Sequence, residues 1–284
     1  MSNNCKILGV TFFNGSLRES LRLSKMGGLV VAPSGPGLAC DLTRCDVYER
    51  SLLEAGLVLP DSGLMCLFQN WFKQQKITRI SGLNFLKYYL ENYNVEEPFF
   101  WIMPNKSQDK TNRSWLLKNH GFEIEEHESY CAPLYDESGT IQDSVLLSMI
   151  TKVKPKTIFI QLGGGVQERL GMFLKENLEY KPTILCTGAA LAFLSGEQVH
   201  IPKWADQLYL GWLFRCFFNP KLYMPRYAKA FRLIFLLVKY GERSFISAAP
   251  SLRNSLPAKV RDCDTLQSFK RELKTHCFVQ FYGN

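Results

Sequence analysis

Residues 57–84 read LVLPDSGLMCLFQNWFKQQKITRISGLN. A short apolar run (Leu57, Val58, Leu59) stops at Pro60. Asp61 follows, then Ser62 and Gly63, then apolar residues at helical spacing. Twenty residues on, a second glycine turn stands at Ser81-Gly82, with Asn84 behind it. A strand end that presents one carboxylate beside glycines suits a site where a bulky phosphorylated ligand meets a base. The plainer reading is a strand-to-helix turn with Asp61 as helix cap.

Outward from this stretch, apolar runs alternate with helical patterns. Residues 6–13, 29–31, 57–59, 99–103, 157–162 and 183–186 read as strands. Helical spacing covers 16–26 (capped by Ser16), 43–55, 64–74, 85–92, 110–119, 143–151 and 167–178. Alternation with short connections predicts an α/β fold, Rossmann-like, with a mostly parallel sheet. Ligands bind such sheets at the carboxyl ends of the strands. Four turns are expected there: 33–37, 60–63, 163–165 and 187–189. The predicted organisation is an α/β catalytic domain over 1–200, a basic helical appendage over 201–243 and a tail over 244–284 without an assigned role.

Composition narrows the function classes. A hydrophobic fraction of 46% with 21% charged residues fits a globular protein. The net charge of +8 calls for an anionic partner: nucleic acid, a phosphorylated substrate or an acidic membrane surface. Nine cysteines, irregularly spaced and without C-x-x-C, form neither a disulfide framework nor a zinc site and read as a reduced, cytosolic pattern. His120, His127 and Cys131 match no standard metal spacing. The start carries no signal-peptide architecture. The longest apolar run, Leu233 to Val238, is too short to span a bilayer, so any membrane contact is expected to be peripheral.

Two further segments carry chemistry. In 158–178 a strand, Gly163-Gly164-Gly165 and a helix follow one another; backbone N–H groups and a helix start favour an anion there. The pattern is neither a Walker loop nor G-x-G-x-x-G, and a tight structural turn is the alternative. From Trp204 to Arg243, Arg215, Lys221, Arg226, Lys229, Arg232, Lys239 and Arg243 face only two acids, Asp206 and Glu242. At helical pitch from Tyr227, Lys229, Arg232, Lys239 and Arg243 fall within about 80° of arc, opposite Tyr227, Phe231, Ile234, Phe235 and Val238. Such a helix lies on an anionic membrane or packs on the core with a solvated basic face. Asp262-Cys263-Asp264 is formally D-x-D, but with no strand before it helix capping before Thr265 is the better reading.

In order along the chain, ILGVTFFNGSLRESL, VLPDSGLMCLFQ, RISGLNFLKYYL, IQLGGGVQERLGMFLKENL and TGAALAFLSGEQVHIPKWADQLYLGWLFRCFFNPKLYMPRY resemble the motif blocks of the bacterial WecG/TagA/CpsF glycosyltransferases, glycosyltransferase family 26. The resemblance spans about residues 7–240. It implies an inverting, metal-independent transferase without a cofactor. Such an enzyme moves an N-acetylmannosamine-like sugar or its uronic acid from a UDP donor to a polyprenyl-diphosphate-linked acceptor. It also implies a peripheral location on the cytoplasmic membrane face, in surface polysaccharide synthesis. By the resemblance Asp61 is the general base. Arg215, Lys221 and Arg226 are the appendage's basic positions, with Arg215 and Arg226 beside Asp61 in the catalytic set. Ser34, Gly35, Gly63, Gly82, Asn84, Gly163, Gly165, Gln167, Glu168, Gly188 and Lys221 line the donor site. The implied partners are a nucleotide sugar, a lipid-linked acceptor and an anionic membrane surface, and not nucleic acid; self-association is left open. The chain departs from the family at Ala32-Pro33-Ser34-Gly35-Pro36, where T-x-N-P-E is usual, and at Leu191-Ala192-Phe193, where F-D-F is usual. A catalytically degenerate relative that binds a nucleotide sugar or a partner protein is the alternative.

Overall fold

The computed structural model describes residues 4–136, 138–196 and 211–243, together with Arg271; of Arg215 and Arg226 it describes the backbone only. The D-x-D triplet and the helix expected over 265–273 lie outside the described residues, Arg271 apart, as does the 201–210 portion of the expected appendage.

Six strands form one parallel sheet: β3 (Gly28–Val31), β4 (Leu57–Val58), β5 (Phe99–Met103), β6 (Ser129–Cys131), β7 (Thr157–Ile160) and β8 (Thr183–Cys186), in the order β4-β3-β8-β7-β5-β6. Their residues alternate between two cores, as the two-residue period of a strand requires. Leu29, Val31, Val58, Phe100, Ile102, Ile158, Ile160, Ile184 and Cys186 face one core. Val30, Leu57, Phe99, Trp101, Met103, Phe159 and Leu185 face the other. Both faces are covered, so the strands are mostly apolar, which is how an all-parallel sheet reads; the exceptions are Thr157 and Thr183, which open β7 and β8, and Ser129 on the edge strand β6.

The first core is closed by α2 (Gly35–Cys40), α3 (Asp46–Leu53), α4 (Gly63–Phe72), α7 (Ser144–Val153) and α8 (Val166–Asn177). The second is closed by α1 (Leu17–Ser24), α5 (Gly82–Glu91), α6 (Lys106–His120) and α9 (Ala190–Leu194). In the second core Trp101 stacks on Phe159 at 4.0 Å and 9°. The chain therefore leaves β3 and β7 toward one face and β8, between them, toward the other. In a sheet of this topology the ligand-binding crevice lies at the carboxyl ends of those strands.

Several sequence expectations need correction. Residues 6–13 are not one strand. β1 (Cys5–Ile7) and β2 (Val10–Phe12) form an antiparallel hairpin, turned at Leu8-Gly9 with φ of 53° and 84°. The turn over 33–37 is the start of α2, with Ser34 as its cap accepting from the Gly37 N–H. The helix expected over 43–55 is a short 3-10 turn at Asp41–Thr43 followed by α3. Strand β6 and helix α9 were not expected at all.

Over its described residues, 211–243, the basic segment holds three helices: α10 (Gly211–Phe218), α11 (Pro220–Ala230) and α12 (Arg232–Tyr240). Of the expected apolar stripe on α12 only Ile234 packs against the core, and the basic stripe faces away from it. Leu233, Leu236 and Leu237 are buried in the first core, leaving Phe231, Phe235 and Val238 exposed together with the cations. The end of α12 is also tied to the chain's beginning: the Leu8 and Gly9 N–H groups donate to the carbonyls of Gly241 (2.7 Å) and Glu242 (3.1 Å). This helix is part of the body. Leu237→Ala should therefore lower global stability by about 2–5 kcal/mol, read from denaturant unfolding followed by far-UV circular dichroism. An unchanged midpoint would mean that α12 is dispensable to the core.

Candidate active site

Three serines start three helices at the crevice. Ser34, Ser62 and Ser81 each accept a hydrogen bond from the backbone N–H three residues on, at Gly37, Met65 and Asn84. A fourth helix, α8, starts at Gly165, where φ is 90°. Helix starts carry partial positive charge and free N–H groups, so this rim suits an anion such as a diphosphate.

Ser62, not Asp61, caps α4, which removes the capping explanation for Asp61. The Asp61 side chain is 25% exposed. Its Oδ1 accepts the Gly82 N–H at 3.1 Å, at the start of α5. Arg79 donates from Nε to the Asp61 carbonyl at 2.7 Å and brings Nη2 to 3.8 Å from Oδ1. The carboxylate is thus oriented by a backbone donor and balanced by a cation. It keeps access to solvent at a strand end, which is what a general base requires.

Close approach gathers the neighbours. A Cβ on Gly82 would lie 2.9 Å from the Thr187 carbonyl oxygen and 3.3 Å from the Ala32 Cβ. Only glycine lets α5 begin there. A Cβ on Gly35 would lie 3.2 Å from the Ser62 Oγ and 4.0 Å from the Ala230 Cβ. The starts of α2 and α4 and the end of α11 therefore meet at one point. Gly63 opens α4 beside them. Gly163 is exposed, with open space around it, and Asn84 is exposed on the first turn of α5.

Gln167 and Glu168 are buried, and their polar atoms are engaged within the protein. Gln167 accepts the Gly188 N–H at 2.6 Å and donates to Glu168 at 2.9 Å. Glu168 accepts the Gly165 N–H at 2.7 Å. The pair braces the glycine turn after β7 against the one after β8. Burial pushes the Glu168 carboxyl up to about 7, with nearby Asp41 adding to the rise, although hydrogen bonds including those from Gln167 and the Gly165 N–H work against it. Beside it Arg169 spends its guanidinium on carbonyls: Gly165 (3.1 Å), Gly139 (2.9 Å) and Asp136 (2.6 Å). Gln161 joins the same turns by donating to Thr187 (3.4 Å) and accepting from the Leu191 N–H (3.1 Å).

The structure thus brings Ser34, Gly35, Asp61, Gly63 and Gly82 to one end of the crevice, with Gly163, Gly165, Gln167, Glu168 and Gly188 bordering the other. Helix α11, which carries Lys221 and Arg226, packs along α2. Lys221 is exposed, whereas Arg215 and Arg226 are located by their backbones alone. Arg79, Thr187 and Arg169 were not anticipated. Arg79 stands in the quoted RISG block, two residues before a capping serine, and its partner becomes apparent only in three dimensions. Among the described residues no three His, Cys, Asp or Glu side chains form a metal-binding group.

The model of the glycosyl transferase WecG/TagA/CpsF family matches residues 5–245. The chain belongs to this family. Membership makes it a glycosyl transferase of cell-surface polysaccharide synthesis, a class whose partners are a nucleotide sugar and a lipid-linked acceptor. No curated protein matches the chain. The matched span takes in both the sheet and the three C-terminal helices, the last of which, α12, shares the first core of this glycosyl transferase.

The titration of Glu168 has a consequence for stability. Its folded value lies above the ordinary 4.5, so the folded state holds the proton more tightly than the unfolded chain. The resulting stabilisation is complete below the unfolded value and is lost as pH rises through about 7. Between about pH 5 and about pH 7.5 the melting temperature of the wild type should fall relative to Glu168→Gln. A difference that stays flat with pH would show that Glu168 does not titrate in this window.

Proposed function

We propose that this protein transfers a sugar with inversion from a UDP donor to a polyprenyl-diphosphate-linked acceptor, with Asp61 as general base. The observation that carries the reading is the Asp61 carboxylate at the end of β4, held by the Gly82 N–H and faced by Arg79. The acceptor hydroxyl gives its proton to Asp61 as its oxygen bonds to the anomeric carbon. On the opposite side the bond from that carbon to the diphosphate oxygen breaks, and UDP leaves with the electron pair. Negative charge grows on the departing diphosphate. The starts of α2, α4, α5 and α8 and the cations Arg215, Lys221 and Arg226 supply the compensating field. Gly163, Gly165 and Gly188 admit the donor closely, Ser34, Gly35 and Asn84 border it, and Gln167 and Glu168 hold the turns in place. No metal enters this scheme, because helix starts and side-chain cations neutralise the leaving group. An N-acetylmannosamine-like sugar or its uronic acid is the proposed donor sugar.

The acceptor is a lipid, which places the reaction at the inner face of the cell membrane. Among the described residues no helix is long and apolar enough to cross a bilayer. Phe217, Met224, Phe231, Phe235 and Val238 are exposed on the C-terminal helices beside Lys221, Lys229, Arg232 and Lys239. Apolar side chains mixed with cations suit an anionic membrane surface.

A binding-only relative is the second reading. It is favoured by Ala32 and Ala192, buried methyl groups where the family carries polar side chains. Transfer to a synthetic lipid acceptor would reject it. Asp61→Asn should cut that transfer at least about a hundredfold, while donor binding by calorimetry stays within about twofold because the leaving-group contacts remain. Full activity in the variant would overturn the assignment of the base.

A further inference from the structure

The exposed aromatic side chains are unevenly distributed. The sequence holds twenty Phe and five Trp. Among the described residues the exposed ones are Trp71, Phe72, Phe217, Phe231 and Phe235. The last three belong to the C-terminal helices. Trp71 and Phe72 belong to the last turn of α4, within the α/β body, and are 75% and 72% exposed.

Helices α4 and α12 are neighbours. Met65, Cys66 and Phe68 of α4 share the first core with Leu233, Leu236 and Leu237 of α12. Both helices start at the same point of the rim. Ser62 caps α4 and Ala230 immediately precedes the α12 cap, and both lie against Gly35. From there α4 runs out to Trp71 and Phe72, and α12 runs out past Phe235 and Val238.

The platform under the two aromatics is fixed. Phe72 stacks on Phe68 at 5.2 Å. The following loop is pinned by Asn70, which donates to the Ile77 carbonyl (3.1 Å) and accepts its N–H (2.8 Å). Asn14 holds the same loop through the Lys76 carbonyl (2.8 Å) and the Thr78 N–H (3.2 Å). Lys73 and Lys76 are exposed on this loop, and neither has an ion pair among the described residues. On α12 the same association occurs in one place, with Lys239 Nζ 5.7 Å from the Phe235 ring centre. Aromatics that seat at the lipid boundary, flanked by cations that reach phosphate, are complementary to an anionic bilayer. A rigid presentation adds little ordering cost on binding.

We infer that the end of α4, through Trp71 and Phe72 with Lys73 and Lys76, is a second membrane-seating element that works alongside the C-terminal helices. The inference rests on the membrane reading of the proposed function and deepens it. One line of contact from α12 would leave the body free to rock about that line. A second line from α4 sets its tilt, and with it the height of the crevice above the lipid-linked acceptor.

The test uses the full chain and sedimentation with vesicles of phosphatidylcholine alone or mixed with phosphatidylglycerol. The wild type should bind the mixed vesicles, and Trp71→Ser/Phe72→Ser should bind them about tenfold more weakly or worse with an unchanged melting temperature. The same variant should raise KM for a long-chain lipid acceptor and leave kcat for a short soluble acceptor unaltered. Unchanged vesicle binding in the variant would overturn this inference and leave the membrane reading intact. Failure of the wild type to bind mixed vesicles would overturn both. A shift of the variant to a smaller species in gel filtration without lipid would assign the surface to a second copy of the chain. Unquenched Trp71 fluorescence with lipid-borne quenchers, restored to quenching by deletion of 244–284, would assign it to that segment; either result refutes the bilayer as occupant.

Discussion

The N–H of Gly82 is the contact on which the site depends. It donates to Asp61 from the first residue of α5, while the missing side chain lets that residue rest on the Thr187 carbonyl and the Ala32 methyl. Three strand ends are fastened there at once: β4 through Asp61, β3 through Ala32 and β8 through Thr187. Any β-carbon at this position would have to displace backbone, which cannot yield as the end of a flexible side chain does. The orientation of the Asp61 carboxylate and the approach of α5 to β3 and β8 are therefore set by one backbone position.

The far side of the crevice is organised differently. There the polar side chains are spent on bracing. Gln167 and Glu168 tie one glycine turn to another, and Arg169 fastens the Asp136 and Gly139 carbonyls. A fully buried arginine is tolerable because carbonyl oxygens take up its donors. What remains open to a ligand at that side is glycine backbone, rigidly supported from behind. Such an arrangement favours recognition of a diphosphate by N–H groups over recognition by charged side chains.

The legibility of the sequence follows from local physics. Residues 99–103 and 183–186 were readable as strands because burial on both faces leaves them apolar, Thr183 at the start of the second apart. The helix start at Ser16 was readable because a serine before a helical pattern has a specific bonding role, whereas Ser81-Gly82 read as a glycine turn with the helix beginning only at Phe85, three residues late. Strand β6 was hidden: three residues at the sheet edge carry too little pattern. The hairpin at 5–12 read as one strand because Leu8, an apolar residue in the left-handed region, continues the run across the turn. On α12 two apolar stripes compete, and periodicity alone does not say whether leucine or phenylalanine turns inward. Asp61 was found because an acid after a strand end stands out, whereas Arg79 is one cation among many until its partner is seen.

Taken together, the fold presents the partly exposed Asp61 carboxylate at a rim of helix starts, with α12 of the basic helices packed into the same core. The most direct measurement is a structure of the protein with an unreactive UDP-sugar analogue. The diphosphate should lie among the starts of α2, α4, α5 and α8, with the anomeric carbon turned toward the Asp61 carboxylate across a gap wide enough for an acceptor hydroxyl. A donor bound at the β5–β6 end of the sheet, or one whose anomeric carbon faces away from Asp61, would contradict it.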